Sequence, residues 1–379
     1  MIRVAAIVLP SCSPAPSDWF LARLAGLSHR DRLTATLRRA GIDDVRIVEA
    51  GHVAGDVPRA CGPLLVVDGR RLYAPSWIEA AVGGAGPGDF AAGGRPSGLR
   101  VAPEGAALDG AWTDFERVVP GAAQLSVPAG AWSVEVQTPQ GRHRAREQLR
   151  LSLAKPTDGW FARRFNRPIS TRLSIRLASL GVHPDLATVA AVALAVASAW
   201  SSALGTWAGF AAGGLLFQLA SVADGVDGEL ARLRFSRSGH GEWLDTVCDD
   251  LSNLMFFIGV TAGVARAGYP AWLLAAGLVT IAMDILTVSV MYWTLAARGD
   301  ATLLAFEADL DRPAFGRGLL PDLARRFQPF VKRDAYAFLF MLAAVAGAPW
   351  VPLVTTPPAL AFTLAGFARI VVVQRESEA

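Results

Sequence analysis

The chain has little cysteine: Cys12, Cys61 and Cys248 are the three it holds. They form no CxxC pair and no cluster with histidine, which excludes a disulfide framework and a structural zinc site. Charge is scarce as well. Asp, Glu, Lys and Arg make up 18% of the 379 residues, against 52% hydrophobic. The formal net charge of +3 is too weak to hold a polyanion, so no nucleic acid is expected as a partner. There is no heptad, solenoid or low-complexity repeat. The first half also lacks long apolar runs. Its opening stretch, Val4 to Leu9, is too short for a signal-peptide core. Leu9-Pro10-Ser11-Cys12 faintly resembles a lipoprotein cleavage site, but a buried first strand is the simpler reading.

What is present is unevenly placed. Residues 1–145 read as a soluble α/β domain. Strands are expected at Val4–Leu9, Val45–Val48 and Leu64–Val67, and helices from Asp31 to Ala40 and from Pro75 to Val82. Strands alternating with helices imply a partly parallel sheet. Residues 83–98, rich in Gly and Pro, are expected to form a loop. Residues 146–183 form a basic amphipathic connector, in which Lys155, Arg163, Arg164, Arg167, Arg172 and Arg176 alternate with Trp160, Phe161, Phe165, Ile169, Leu173 and Leu177. Such a stretch suits a membrane interface bearing anionic lipids; a solvated linker helix is the alternative.

Residues 184–379 carry six apolar segments, near 185–204, 206–223, 244–264, 270–294, 334–350 and 353–373. Most approach the ~20 residues that cross a bilayer. The expected fold class is therefore an α-helical integral membrane domain with six transmembrane helices, preceded by a soluble α/β domain. Arg232, Arg234 and Arg237 follow the second segment. Arg298, Arg312, Arg317, Arg325, Arg326, Lys332 and Arg333 follow the fourth. The intervening loops at Gly205, Arg266–Tyr269 and Ala348–Val351 carry almost no charge. The positive-inside rule places both termini and the charged loops in the cytoplasm, in a cell (inner) membrane.

The informative stretch runs from Asp224 to Asp249, at the cytoplasmic ends of the second and third segments. Acidic residues are costly there without partners. Asp224 and Asp227 (i, i+3) share a helix face, as do Asp245 and Asp249 (i, i+4). Two adjacent antiparallel helices could aim four carboxylates at one point. Hard divalent cations, Mg2+ or Mn2+, relieve the repulsion of such a cluster. Two ions would suit displacement at phosphorus. Gly225, Gly228 and Ala231 leave one helix face bare for a ligand, and Gly239 and Gly241 do the same at the start of the next helix. Arg232, one turn past Gly228, is placed to bind a phosphate. Other readings of the acidic cluster are helix caps, a cation transport path, or a membrane-anchored binding module. The transport reading calls for further ionisable residues deep in the helices, and Asp284 is the clear one.

The stretch resembles the CDP-alcohol phosphotransferase family, whose pattern is D-x2-D-G-x2-A-R-x8-G-x3-D-x3-D. Asp224, Asp227, Gly228, Ala231, Arg232, Gly241, Asp245 and Asp249 fill every fixed place. The resemblance implies six transmembrane helices and metal ligation by Asp224, Asp227 and Asp245. It makes Asp249 the general base and a further contact to metal. Gly228, Ala231 and Gly241 would lie against cytidine and Arg232 on the diphosphate. A hydroxyl acceptor would attack the β-phosphorus of a CDP-alcohol, CMP would leave, and the enzyme would be a homodimer. Lys155 to Gly159 and Asn166 to Ser170 resemble the connector of the di-inositol-phosphate-phosphate synthase branch. His183-Pro184 through Thr188 is similar to the family's TPN-x-x-T lead into its first membrane helix, with His183 and Asp185 in place of Thr and Asn. Lys332-Arg333-Asp334 resembles the basic lead into the fifth helix and could bind an acceptor phosphate such as inositol phosphate.

In that branch a sugar-phosphate nucleotidyltransferase domain can precede the membrane domain, and residues 1–145 look like a worn version of it. Arg32-Leu33 through Ile42 and Val45–Val48 resemble its second helix and strand. Asp68 stands where the family places a metal-binding aspartate. The segment that would be its glycine-rich loop is Pro10-Ser11-Cys12-Ser13-Pro14-Ala15-Pro16. It holds no glycine, and proline donates no N–H. The expected reading is a domain inactive in nucleotidyl transfer.

Overall fold

The computed structural model describes residues 2–9, 19–49, 63–83, 88–92, 95–103, 114–115, 119, 123–126, 128, 130–155, 157–236, 239–298 and 332–378. Pro10 to Pro16, Arg237, and the stretch holding Arg312, Arg317, Arg325 and Arg326 lie outside the described residues. Two compact units result: residues 1–153 with 175–181 and 233–235, and residues 154–174, 182–232 and 236–379.

The first unit is built on a mixed sheet. Strand β1 (Val4–Leu9) is central, with β4 (Asp44–Glu49) and β5 (Leu64–Asp68) parallel on either side, Val4 facing Asp44 and Leu64. Apolar β-branched runs buried on both faces are what a parallel centre requires. The minor strands β2 (Arg23–Leu24) and β3 (Leu27–Ser28) lead into helix α1 (His29–Arg39), whose N-cap Ser28 accepts from the Asp31 amide. Strand β6 (Arg71–Tyr73) precedes α2 (Pro75–Val82), which starts on proline. The loop expected over residues 83–98 is instead largely a pair of strands, β7 (Gly88–Ala92) and β8 (Arg95–Ala102). β8 pairs antiparallel with β5, and β7 carries β9 (Ala123–Ser126) at its far side. Sheet extension from β5 supplies the partner groups that the local Gly/Pro composition disfavours. β10 (Ser133–Glu135) pairs with β6, and α3 (Pro139–Leu151) follows.

The second unit begins with a turn of π-helix, Ala162–Asn166, running into α4 (Arg167–Ser179). Among the described residues four helices then follow that are long and apolar enough to cross a membrane: α5 (Pro184–Ala203), α6 (Trp207–Arg234), α7 (Gly239–Arg266, apolar from Trp243) and α8 (Ala271–Arg298, apolar to Thr294). Helices α9 (Arg333–Val345) and α10 (Val351–Glu378) complete it, the latter apolar over Val351–Ala365. α6 does not stop near residue 223 but continues to Arg234, so the acidic motif starts on unbroken helix.

The packing has the logic of lipid rather than water. On α5 the buried face is small (Ala187, Ala191, Ala195, Ser198, Ser202), while Leu186, Val189, Val196 and Trp200 are exposed. Small residues let helix backbones close up where no hydrophobic drive exists between them. Gly259 of α7 shows the consequence: a Cβ there would meet the Ala199 carbonyl oxygen at 2.4 Å. Phe217 of α6 stacks on Phe256 of α7 at 4.0 Å between ring centroids, and Phe256 on Phe340 of α9 at 6.1 Å. This aromatic column ties α6, α7 and α9 to one another.

Candidate metal and phosphate site

α6 and α7 bring Asp224, Asp227 and Asp245 together. One carboxylate oxygen from each lies within 4.8 Å of the others. Asp227 is 5% exposed and Thr188 of α5 donates to its Oδ2 at 2.7 Å. Thr188 is the last residue of the lead into the first membrane helix, and that hydrogen bond orients the carboxylate. The His183 side chain caps α5 by accepting from the Asp185 amide, so the departure from the family's Thr and Asn leaves an N-cap in place. Asp245 Oδ1 is buried and has no hydrogen-bond partner among the described residues. Three convergent carboxylates with a buried, unmatched oxygen are the donor chemistry of a hard divalent cation.

Asp249 does not join those three. Its Oδ1 is paired with Nη1 of Arg333, at the start of α9. The same nitrogen lies 3.4 Å from Asp224. The expected four-carboxylate convergence is thus three carboxylates plus a fourth tied in through a guanidinium. The reason is geometric: Asp245 and Asp249 share a helix face, but four residues of rise separate them by ~6 Å along α7. Lys332, next to Arg333, donates to the Thr157 carbonyl at 2.6 Å.

The small residues are used differently from the expectation. Gly225 does not open a face to a ligand; a Cβ there would meet Arg167 Nη1 at 3.2 Å. Gly228 does keep an open flank among the described residues, with Arg232 Nη1 3.7 Å from where a Cβ would sit. Arg232 therefore lies over Gly228, one turn along the helix. Ala231 is half-buried and Gly241 exposed at the start of α7.

Sequence reasoning missed the polar network beneath. Glu229 is fully buried and accepts from Arg167 (2.7 Å), Ser170 (2.8 Å) and Ser174 (2.7 Å). Arg167 also forks onto Asp158 at 2.9 and 2.8 Å. Burial works against the Asp158 carboxylate, but the Arg167 guanidinium outweighs it and holds Asp158 below the usual carboxylate range. Burial likewise opposes the Arg167 charge, and the two carboxylates overcome it and push its pKa up. Asn166, the buried last residue of the π-turn, donates to Asp334 (2.9 Å) and Ser221 (3.4 Å) and accepts from Gln218 (2.7 Å). The available signal was Glu229 itself, a carboxylate on a membrane-length helix that lies outside the fixed positions of the acidic motif. A second missed feature is Asp250, which accepts from Tyr292 at 2.9 Å.

In the first unit Asp68 sits at the end of β5, fully buried. Its oxygens are engaged by the Arg70 amide (2.9 Å), Nε (3.0 Å) and Nη2 (2.9 Å).

A family model described as CDP-alcohol phosphatidyltransferase matches residues 181–306, a segment that contains Thr188 and the whole acidic motif. Over residues 181–306, about a third of the chain, the helical domain is similar to this enzyme family. Proteins named bifunctional IPC transferase and DIPP synthase are similar to it. The one from Thermococcus kodakarensis is 34% identical over 209 residues, covering 55% of this chain and 43% of that protein. The Aquifex aeolicus one is 26% identical over 220 residues (58% and 46%), and the Rubrobacter xylanophilus one 35% over 181 (46% and 40%). The chain thus spans less than half the length of these relatives. Among solved structures, Mycobacterium tuberculosis phosphatidylinositol phosphate synthase with CDP-DAG bound superposes with a TM-score of 0.37 at 22% identity, over 53% of this chain and 91% of that one.

Proposed function

We propose that the CDP-alcohol phosphotransferase domain of this chain moves a substituted phosphate from a CDP-alcohol to a hydroxyl acceptor, releasing CMP. The observation that carries the reading is the convergence of Asp224, Asp227 and Asp245 within 4.8 Å, inside a motif whose eight fixed positions are all filled. These three would hold Mg2+ or Mn2+, in one or two ions. When bound, the metal supplies charge neutralisation for the diphosphate oxygens. Arg232, lying over the open flank at Gly228, would grip the diphosphate in bidentate fashion. Gly228, Ala231 and Gly241 would admit the cytidine. Asp249 would take the proton from the acceptor hydroxyl as its oxygen bonds to the β-phosphorus and the bond to the CMP oxygen breaks. Arg333, paired with Asp249, would meet a phosphate carried by the acceptor, with Lys332 next to it.

The relatives' name, DIPP synthase, favours an inositol-phosphate acceptor and a donor of the CDP-inositol or CDP-diacylglycerol type. The domain would cross the inner membrane six times, α9 and α10 joining the four longer apolar helices, with both termini and the site cytoplasmic, and would act as a homodimer among membrane lipids. The first unit is read as inactive in nucleotidyl transfer. The support is Asp68, whose carboxylate is closed off by Arg70 where a metal ligand needs open oxygens.

The test is CMP release by the purified chain in detergent, with Mg2+, labelled CDP-diacylglycerol or CDP-inositol, and a panel of alcohols. Asp249→Asn should abolish turnover while CDP binding survives. Normal CMP release by that variant removes Asp249 as the base. CTP-dependent pyrophosphate release by the full chain would reverse the reading of the first unit.

A further inference from the structure

We propose that Glu229 is a positioning residue: held from the connector, it fixes the roll of α6 and so aims Asp224 and Asp227 at Asp245. The proposal rests on the reading of those three carboxylates as metal ligands.

The argument starts from helix geometry. At about 100° per residue, Glu229 lies about 160° around α6 from Asp227 and about 140° from Asp224. It therefore stands on the far side of the helix from the carboxylate face. Gln218, Ser221, Gly225 and Glu229 follow one another at spacings of three, four and four and form one stripe along that far side. Every member of the stripe meets the connector. Gln218 and Ser221 bond Asn166. Gly225 makes room for Arg167 Nη1 and for Ser170. Glu229 takes three hydrogen bonds from Arg167, Ser170 and Ser174.

A buried carboxylate with three directional donors, one of them charged, resists rotation far more than apolar packing does. The lever matters because a carboxylate stands about 5 Å from the helix axis. A roll of only a few degrees moves it by the ~0.2 Å that metal coordination tolerates. The same connector holds the start of α9, through Asn166 to Asp334 and Thr157 to Lys332. One brace thus sets both the metal carboxylates and Arg333.

The experiment is Mn2+ binding to the detergent-purified full chain, read from the free-ion EPR signal, beside kcat and KM for CMP release. Glu229→Gln should weaken Mn2+ binding about 10–100-fold, the range for residues that orient metal ligands, and lower kcat more than it raises KM for the donor. A merely structural role would reduce the number of binding-competent molecules and leave their affinity unchanged. Should Glu229→Gln fail to fold, Ser170→Ala and Ser174→Ala each remove one bond from the same carboxylate. Together they should still weaken Mn2+ binding several-fold. Wild-type Mn2+ affinity in folded Glu229→Gln, or in the double serine variant, overturns the proposal and leaves the metal site standing. Absence of Mn2+ binding by the unaltered chain overturns the metal reading and this proposal with it.

Discussion

Replacing Asp245 by asparagine should make the metal-free protein more stable and the metal-loaded protein less so. Three carboxylates with oxygens within 4.8 Å repel one another. At an effective dielectric constant of about 20, each ionised pair at that distance costs about 3 kcal/mol. The amide keeps the shape of the side chain and removes two of the three repulsions. The Arg333 charge, 3.4 Å from Asp224, already offsets part of that, so about 1–3 kcal/mol of relief is left. Metal reverses the balance, because a cation at 100 times its dissociation constant adds about 2.7 kcal/mol to whichever protein binds it. The assay is thermal unfolding in detergent, followed by the fluorescence of the 11 tryptophans, in chelator and in excess Mn2+. At about 2–4 °C per kcal/mol, Asp245→Asn should melt several degrees above the unaltered chain in chelator and below it in Mn2+. Melting at or below the unaltered chain in chelator, or an equal Mn2+ shift in both proteins, refutes the electrostatic reasoning.

Three further outcomes are expected. Thr188→Val removes the donor to Asp227 Oδ2 and should weaken Mn2+ binding about 10–100-fold, with Thr188→Ser restoring it; calorimetric titration of both variants checks this. Arg333→Gln removes a charge-assisted contact worth about 1.5–3 kcal/mol, so KM for a phosphate-bearing acceptor should rise at least about tenfold while KM for the donor changes little. Steady-state kinetics that move both alike would count against an acceptor role. His29 is buried, its Nε2 bonded to the Gly69 carbonyl and its Nδ1 without a partner among the described residues. Burial lowers its pKa from 6.5 to about 4. The unfolded chain therefore takes up the proton first, so this contribution is full above pH 6.5 and up to about 3 kcal/mol is lost between pH 6.5 and 4. Urea unfolding of His29→Gln at pH 7 and 5 should show a flatter pH dependence, and an unchanged one would discount the burial argument.

Much of the architecture was legible along the chain. Apolar β-branched runs marked β1, β4 and β5, and oily segments marked α5 to α8. Fixed spacings singled out Asp224, Asp227 and Asp245. The strands β7 and β8 were not legible, because β8 draws its stability from β5, which is distant in sequence. Nor was the use of Gly225, whose small size serves Arg167 rather than a ligand. Asp334 read as part of a basic lead into a helix; its partner Asn166 stands 168 residues away, at the end of a π-turn that has no local signal of its own.

Periodicity by itself determined which residues share a face of one helix, since 3.6 residues per turn is a property of the backbone alone. It thereby paired Asp224 with Asp227 and Asp245 with Asp249. How far each helix is rolled against its neighbours depends on contacts between residues far apart along the chain, such as Arg167 with Glu229 and Arg333 with Asp249. Only the tertiary structure decided that three of the four carboxylates meet and that the fourth faces a guanidinium 84 residues further on.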